Sequence, residues 1–576
     1  MEQRPLAEFL FSHLAELSVR HVFGIPGDYI LPLYRTLEST PGIAPVVATH
    51  EPCAAFSADA YGRQAGLGVL LVTYGVGGFN ALNGVAGAYA EQSPLLVISG
   101  GPPRGYTTDG DPLHVLLHHV VKTETDQLDT YRRVTELAIR LDDPATAALQ
   151  IRRAARHARE SQRPVYLEIP TDLMQTPIPV DAPEPTPHTG DRSDLERAVV
   201  FFQERLAKAA NPVLLVGVEV ARHRLQGEVR RLMAAHGAPV ATTLLAKSTL
   251  PETEPGVLGV YAGVLSTTPE VRRHVEDADL VVMLGNIVTD VGCGAFTADL
   301  HRDRLLIAKT GWIGDGSLRI GRELSFPRFL RALAAAASPS DQAPPWPTAT
   351  RFDYHGSDSV MDRYLGVLED QLTSSDVVVA DTGDSCCGSA HLRTQRENGY
   401  VAPAFYGTMG FAVPAALGVQ LADPDARPLV LVGDGAFQMT GLELSNAVRH
   451  NLDPIVLLFN NDGFGMQRVF QDGGFNDIGR WDYQRIPALL GGGRAWRADS
   501  PEQLRSALAE ARAHRAGPSL IEVSVPRGVI STGLQVLGKA FRREKQGACP
   551  LGSSDADTSA CAHHERCAYC RAAIWR

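Results

Sequence analysis

Two short runs of the sequence set oxygen ligands beside glycine: Gly433-Asp434-Gly435 and, further on, Asn460-Asn461-Asp462-Gly463. Asp434 and Asn461 offer hard side-chain oxygens, which suit Mg²⁺ bridging to a diphosphate better than a metal caged wholly by protein. The glycines let backbone N–H groups come close to phosphate oxygens, and a helix start adds partial positive charge. A Gly-Asp-Gly turn alone is commonplace. The closing asparagine pair gives it chemical meaning.

The sequence around these runs supplies the elements that must position them. Residues 428–432 and 454–459 are apolar runs of strand length, and between them Leu442, Leu444 and Val448 recur at helical spacing. This is a βαβ unit with ligands at the carboxyl ends of two neighbouring strands, where open parallel sheets bind small molecules. The same alternation runs through the N-terminal block. Strands are predicted at 45–49, ending at His50-Glu51, and at 69–73 and 94–100, with helices at 54–63 and 79–91. The middle block, about 193–336, has strands at 212–218, 239–242, 280–284 and 305–307. Its turn at Gly217 lacks the full G-x-G-x-x-G pattern, so no dinucleotide site is expected. Proline-rich stretches at 177–192 and 338–350 read as linkers.

The predicted fold class is α/β, with three doubly wound parallel-sheet domains at 1–180, 193–337 and 353–540 and a Cys/His tail at 541–576. The first and third blocks are alike in size and pattern, which suggests a duplication. At 576 residues the chain is too long for one core. Its net charge of −11 argues against nucleic acid or an anionic membrane as main partner. No apolar run reaches membrane-spanning length, and the N-terminus has no basic segment ahead of an apolar one, so a cytoplasmic protein is expected. Eight cysteines in so long a chain are no disulfide scaffold.

The GDG and NN runs resemble the thiamine diphosphate motif. Further strings extend the likeness: Gly27-Asp28-Tyr29, His50-Glu51, Gly75-Val76-Gly77, His118-His119, Ala241-Thr242-Thr243, Phe475-Asn476-Asp477-Ile478 and Trp481-Asp482-Tyr483. Together they look like the 2-keto acid decarboxylase branch of the thiamine diphosphate enzymes, and only the stretch from Arg542 on finds no match in it. The resemblance implies a set of roles. Glu51, read here at a strand end, would hydrogen-bond the cofactor's aminopyrimidine and favour the tautomer that deprotonates the thiazolium. The plainer reading of Glu51 is a helix-start residue answering the dipole. Asp28, His118 and His119 would form the proton-handling cluster, the adjacent histidines pointing in different directions toward two separate hydrogen-bonding roles. Thr382 and Gly383 would touch the diphosphate together with Gly433, Asp434, Gly435 and Ala436. In Gly407-Thr408-Met409-Gly410 the methionine would wedge between the cofactor rings, although a methionine there is also ordinary core filler. Asp434, Asn461 and the Gly463 carbonyl would hold Mg²⁺. The cofactor would lie between two subunits, in a homodimer or a dimer of dimers.

One position departs from the branch, which carries glutamate where this chain has Gln467. Glutamine hydrogen-bonds but does not titrate. Gln467 therefore leaves open two reactions on a small-molecule 2-keto acid: simple decarboxylation to aldehyde and CO₂, or carboligation, in which a longer-lived acyl group is handed to a second carbonyl. Met466 and Phe470 beside it predict an apolar pocket suited to aromatic or branched acids. In the tail, Cys549, Cys561, Cys567 and Cys570 with His563 and His564 hold enough soft ligands for a structural Zn²⁺, or form an extension with free thiols. That tail also motivates a third reading, a non-catalytic scaffold binding a metal or a partner protein. The intact Glu51, Asp434, Asn461 and histidines argue against it.

Overall fold

The computed structural model describes residues 2–109, 115–181, 192–321, 323–338, 346–347 and 350–545. The four tail cysteines and most of both proline-rich stretches lie outside these. Three six-stranded sheets organise the chain. In the first domain the strands are His21–Gly24, Ala44–Val47, Gly68–Val72, Leu95–Gly101, Leu137–Arg140 and Val165–Pro170, all parallel where paired. In the third they are Asp376–Ala380, Tyr400–Val401, Arg427–Gly433, Ile455–Asn460, Arg494–Ala498 and Ser519–Ser524. Counted in chain order, both sheets run 2-1-3-4-6-5. The middle sheet runs 3-2-1-4-5-6, its last strand, Trp312–Asp315, antiparallel to Leu305–Lys309.

The central strands read as near-continuous runs of Val, Leu and Ile because helices cover both faces. Val69 to Val72, Leu429 to Val432 and Ile455 to Leu458 are all fully buried. The first and third domains meet through two largely buried helices, Glu51–Ala65 and Ala412–Ala422. Their approach is close because small residues face each other: a side chain at Gly418 would collide with the Ser57 carbonyl, and the Ser57 hydroxyl donates to the Pro414 carbonyl at 2.7 Å. Glu51 opens one of these helices, and the other follows the Gly407 to Gly410 turn.

Several local expectations need correction. Glu51 is not at a strand end: the strand stops at Val47, and Glu51 is the first residue of the helix. The linker predicted from 177 begins as a short strand, Pro177–Pro179, paired antiparallel with Gln3–Pro5. Prolines are tolerated there because this two-stranded edge asks few N–H groups of them. Short strands such as Leu137–Arg140 and Tyr400–Val401 carry too few residues to register as periodic runs. Among the described residues, no helix is long and apolar enough to cross a membrane.

Three histidines give the fold an acid limit. His21, His223 and His391 are each pushed down to about 4, by burial first and by a neighbouring His450, Arg331 or Lys247 second. Unfolded, each titrates near 6.5. The folded chain thus binds fewer protons than the unfolded one between these values, so stability is whole above pH 6.5 and falls as pH drops toward 4. Urea unfolding at pH 7 and pH 5 should differ by up to roughly 2 kcal/mol per histidine, with the lower stability at pH 5.

Candidate functional site

In the third domain the strand order reverses between Asp376–Ala380 and Arg427–Gly433. Ligands bind outside the carboxyl ends of strands at such a switch point. One strand leads into Asp381-Thr382-Gly383 and the other into Gly433-Asp434-Gly435, so both expected diphosphate segments stand side by side. Gly383 adopts φ 87°, open to glycine at little cost, and turns the chain into the helix Asp384–Ser389. At Gly433 an added side chain would meet nothing within 4 Å, which leaves the backbone facing open space.

The oxygens beside it fit a divalent cation. Asp434 is buried, and its carboxylate accepts from the N–H groups of Gly435 at 2.8 Å and Gly463 at 3.1 Å. Burial outweighs these bonds and pushes its carboxyl up to about 6. A cation beside it would restore the charged form. The Asn461 amide oxygen stands 3.2 Å from Asp434 Oδ1 and 2.7 Å from the Gly463 carbonyl. Turned round, the amide would hydrogen-bond to both; as it stands, three oxygens face one point with no hydrogen among them. Adjacent ligands of an octahedral Mg²⁺ lie about 2.9 Å apart, so the triangle suits that ion. Replacing Asp434 with alanine should weaken thiamine diphosphate binding at fixed Mg²⁺ on the order of 10²-fold, read by isothermal titration.

Gly433, Gly435, Ala436, Asn461 and Gly463 line a cavity of about 610 Å³, as do Thr382, Gly383, Gly407 and Met409. Met409 packs against the apolar cluster beneath it and also lines the cavity. Thr408 does not line the cavity; its hydroxyl accepts from Asn83 of the first domain at 3.0 Å. Met466, which stands against Gly383, and Gln467, Phe470, Leu537 and Phe541 complete the lining with mainly apolar side chains.

The remaining expected residues sit on the first domain, at its own switch point between His21–Gly24 and Gly68–Val72. Asp28, His118 and His119 come together there. His118 Nε2 is hydrogen-bonded to Asp28 Oδ2, and His119 Nε2 lies 3.5 Å from Oδ1. The two histidines do not point apart as expected: His119 has φ 69°, and this left-handed kink swings neighbouring rings onto one carboxylate. Gly75 makes room for the kink, since a side chain there would collide with the His119 carbonyl, and the Tyr29 hydroxyl pins the His118 carbonyl at 3.0 Å. Burial alone would raise the Asp28 carboxyl, but the hydrogen bond and charge of His118 and the charge of His119 outweigh it and hold it below the usual range. Glu51 Oε2 accepts from Asn80 Nδ2 at 2.7 Å. None of Asp28, Glu51, His118 and His119 lines the 610 Å³ cavity, so within one chain the two groups of residues stand apart.

Comparison with known proteins decides the family that carries these residues. Residues 4–130, 201–307 and 381–523 match the N-terminal TPP binding, central and C-terminal TPP binding domains of the thiamine pyrophosphate enzymes. An indole-3-pyruvate decarboxylase from Azospirillum brasilense is 36% identical, covering 92% of this chain and 97% of its own. The chain belongs to the thiamine pyrophosphate-dependent 2-keto acid decarboxylases. Alpha-keto-acid decarboxylases from Mycobacterium avium and Mycobacterium tuberculosis are 34% and 32% identical, each covering 91% of this chain and 94% of the relative.

Within this thiamine pyrophosphate enzyme, sequence reasoning missed the residues that hold the site from behind. Asp381 is fully buried and accepts from the N–H groups of Thr382, Gly410 and Ala412 at 2.9–3.1 Å, joining the diphosphate loop to the Met409 turn. Glu91, from the first domain, accepts from the N–H groups of Phe405 and Tyr406 at 2.8 and 2.9 Å, fixing the approach to that turn. Glu443 of the third domain accepts from the Thr49 N–H at 3.0 Å, just before His50-Glu51. All three grip backbone amides, which have no sequence pattern. Asn80 was legible in principle: it stands in the helix that the Gly75 turn starts.

Proposed function

We infer that the chain converts 2-keto acids with aromatic or branched side chains into aldehyde and CO₂, with Mg²⁺ and thiamine diphosphate bound between two copies of the chain. The observation that carries the substrate class is the apolar part of the cavity lining, where Met466, Phe470, Leu537 and Phe541 suit a large side chain. The relative named an indole-3-pyruvate decarboxylase supports the same preference.

Asp434, Asn461 and the Gly463 carbonyl would hold the metal, and Thr382, Gly383, Gly407 and Gly433 would leave backbone room for the diphosphate. Bound thiamine diphosphate supplies the electron sink for the pair left behind when the bond to the carboxylate breaks. Glu51 holds and returns a proton at the pyrimidine side, its Oε2 oriented by Asn80. The Asp28, His118 and His119 cluster delivers a proton to the former carbonyl carbon, after which the aldehyde leaves. Asp28, kept ionised, steadies the protonated imidazole that makes the delivery.

Two copies are needed because the half-sites of one chain do not share a cavity. Exposed apolar residues beside each half, Val76 after the Gly75 turn and Met439 and Leu442 after Asp434, support an interface there. Sedimentation velocity should give a dimer or a dimer of dimers.

Carboligation is the second reading, and Gln467 favours it. Among the described cavity-lining residues only Asp384, Cys386 and Cys387 carry titratable side chains. Burial, first among the causes, lifts the Cys386 thiol to about 11 and Cys387 higher still. The test is CO₂ and aldehyde release from pyruvate, branched-chain acids, phenylpyruvate and indolepyruvate, with and without thiamine diphosphate and Mg²⁺. Matched CO₂ and aldehyde from the aromatic acids support decarboxylation; CO₂ in excess of aldehyde, with hydroxyketone formed, supports carboligation.

A further inference from the structure

The helix Thr532–Lys545 forms one wall of the cavity through Leu537 and Phe541. It is seated against two of the other helices that line the cavity, Asp384–Ser389 and Gly465–Phe470. Gly533 lies so close to the Cys387 carbonyl, and Gly538 so close to Val469, that a side chain at either would collide. Phe541 meets the ring of Phe470 at 6.1 Å, and Arg542 donates to the Val469 carbonyl at 2.6 Å.

The start of this helix is tied to a carboxylate of the helix Asp384–Ser389, which packs against it and also lines the cavity. Ser531 caps it, its hydroxyl accepting from the Leu534 N–H at 3.1 Å. Asp384 in turn accepts from the Ser531 N–H at 2.9 Å and from its hydroxyl. Thr532 adds a second anchor, its hydroxyl donating to Asp362 at 2.6 Å. Asp384 directly follows Gly383, in the segment that faces the diphosphate. One side chain therefore joins the segment after Gly383 to the start of the helix that carries the Leu537 and Phe541 wall.

We propose that Asp384, acting through Ser531, is a positioning residue that sets how far the Leu537 and Phe541 wall stands from the cofactor loop, and so which size of 2-keto acid side chain the cavity accepts. The proposal rests on the reading of this cavity as the site of the substrate side chain. A wall of this kind touches the side chain and not the reacting carbon, so its displacement acts on binding of large acids rather than on the chemical step.

The test uses the full chain with thiamine diphosphate and Mg²⁺, comparing Asp384→Asn, Ser531→Ala, the double variant and Leu537→Ala. KM and kcat are measured for pyruvate and phenylpyruvate, cofactor affinity by isothermal titration, and amide exchange over residues 532–545. Asp384→Asn and Ser531→Ala should each raise the phenylpyruvate KM about tenfold, leave pyruvate kinetics and cofactor affinity within about twofold, and speed exchange in the helix. The double variant should fall well short of additive, because both substitutions act on the shared contact between the Ser531 hydroxyl and Asp384. Weaker cofactor binding with an unchanged phenylpyruvate KM would assign Asp384 to the cofactor loop and overturn the proposal, as would additive effects in the double variant. Ser531→Ala leaves the loop untouched, so it decides the matter if Asp384→Asn does not fold. If Leu537→Ala shifts the phenylpyruvate KM and the other two do not, this proposal alone fails. If Leu537→Ala shifts nothing, the cavity is not the side-chain site and both readings fail.

Discussion

Glu51→Gln should lower kcat on the order of 10³-fold at saturating thiamine diphosphate, with cofactor affinity changed less than about tenfold. The two side chains have the same shape, and an amide oxygen can still accept the 2.7 Å hydrogen bond from Asn80. The helix that Glu51 opens is held by its buried face against Ala412–Ala422, not by its first residue, so the fold should persist. What glutamine cannot do is take up and release a proton. Steady-state kinetics on phenylpyruvate beside a cofactor titration separate the possibilities. A fall in kcat smaller than tenfold would leave Glu51 as the helix-start residue of the plainer reading.

Gln467→Glu should raise aldehyde release by about 10- to 100-fold and suppress hydroxyketone formed with an added acceptor aldehyde. Gln467 projects from the helix Gly465–Phe470 into a cavity whose other titratable groups are unsuited to the task. Burial, opposed by two hydrogen bonds from Ser531, lifts the Asp384 carboxyl to about 6, but those bonds keep it engaged. On the proposed mechanism, proton supply in the native chain thus falls to Asp28, His118 and His119. A carboxyl at position 467 adds a second donor on the substrate side. Product ratios measured with and without acceptor give the answer. Unchanged ratios would remove this position from the proton step, and with it the ground for carboligation.

The half of the site built on strand ends was legible because apolar runs mark the strands and glycines mark where they stop. Asp434, Asn461 and Gly463 fell where the βαβ reading put them. Backbone conformation was not legible in the same way. Nothing in His118-His119 as two letters announces that the second residue is left-handed, and the expectation that the rings diverge assumed ordinary dihedrals. Glu51 was misplaced by a few residues because Thr49 and His50 extend the look of a strand that has already ended. Asp381, Glu91 and Glu443 could not be found at all: each is a buried carboxylate whose partners are amides brought near only by the folded topology.

The first and third sheets share one strand order, and each places its half-site where that order reverses. In the proposed assembly of two chains, lesions in the two halves are therefore not equivalent. A chain damaged at Glu51 and a chain damaged at Asp434 are each inactive with copies of themselves. When the two pair, one shared site collects both defects and the other collects none. Random mixing of equal amounts makes half the pairs mixed, each with one whole site of two, so about a quarter of native activity should return on co-expression. Two alleles that are silent alone would complement each other, and the fraction restored would count the chains that build one catalytic centre.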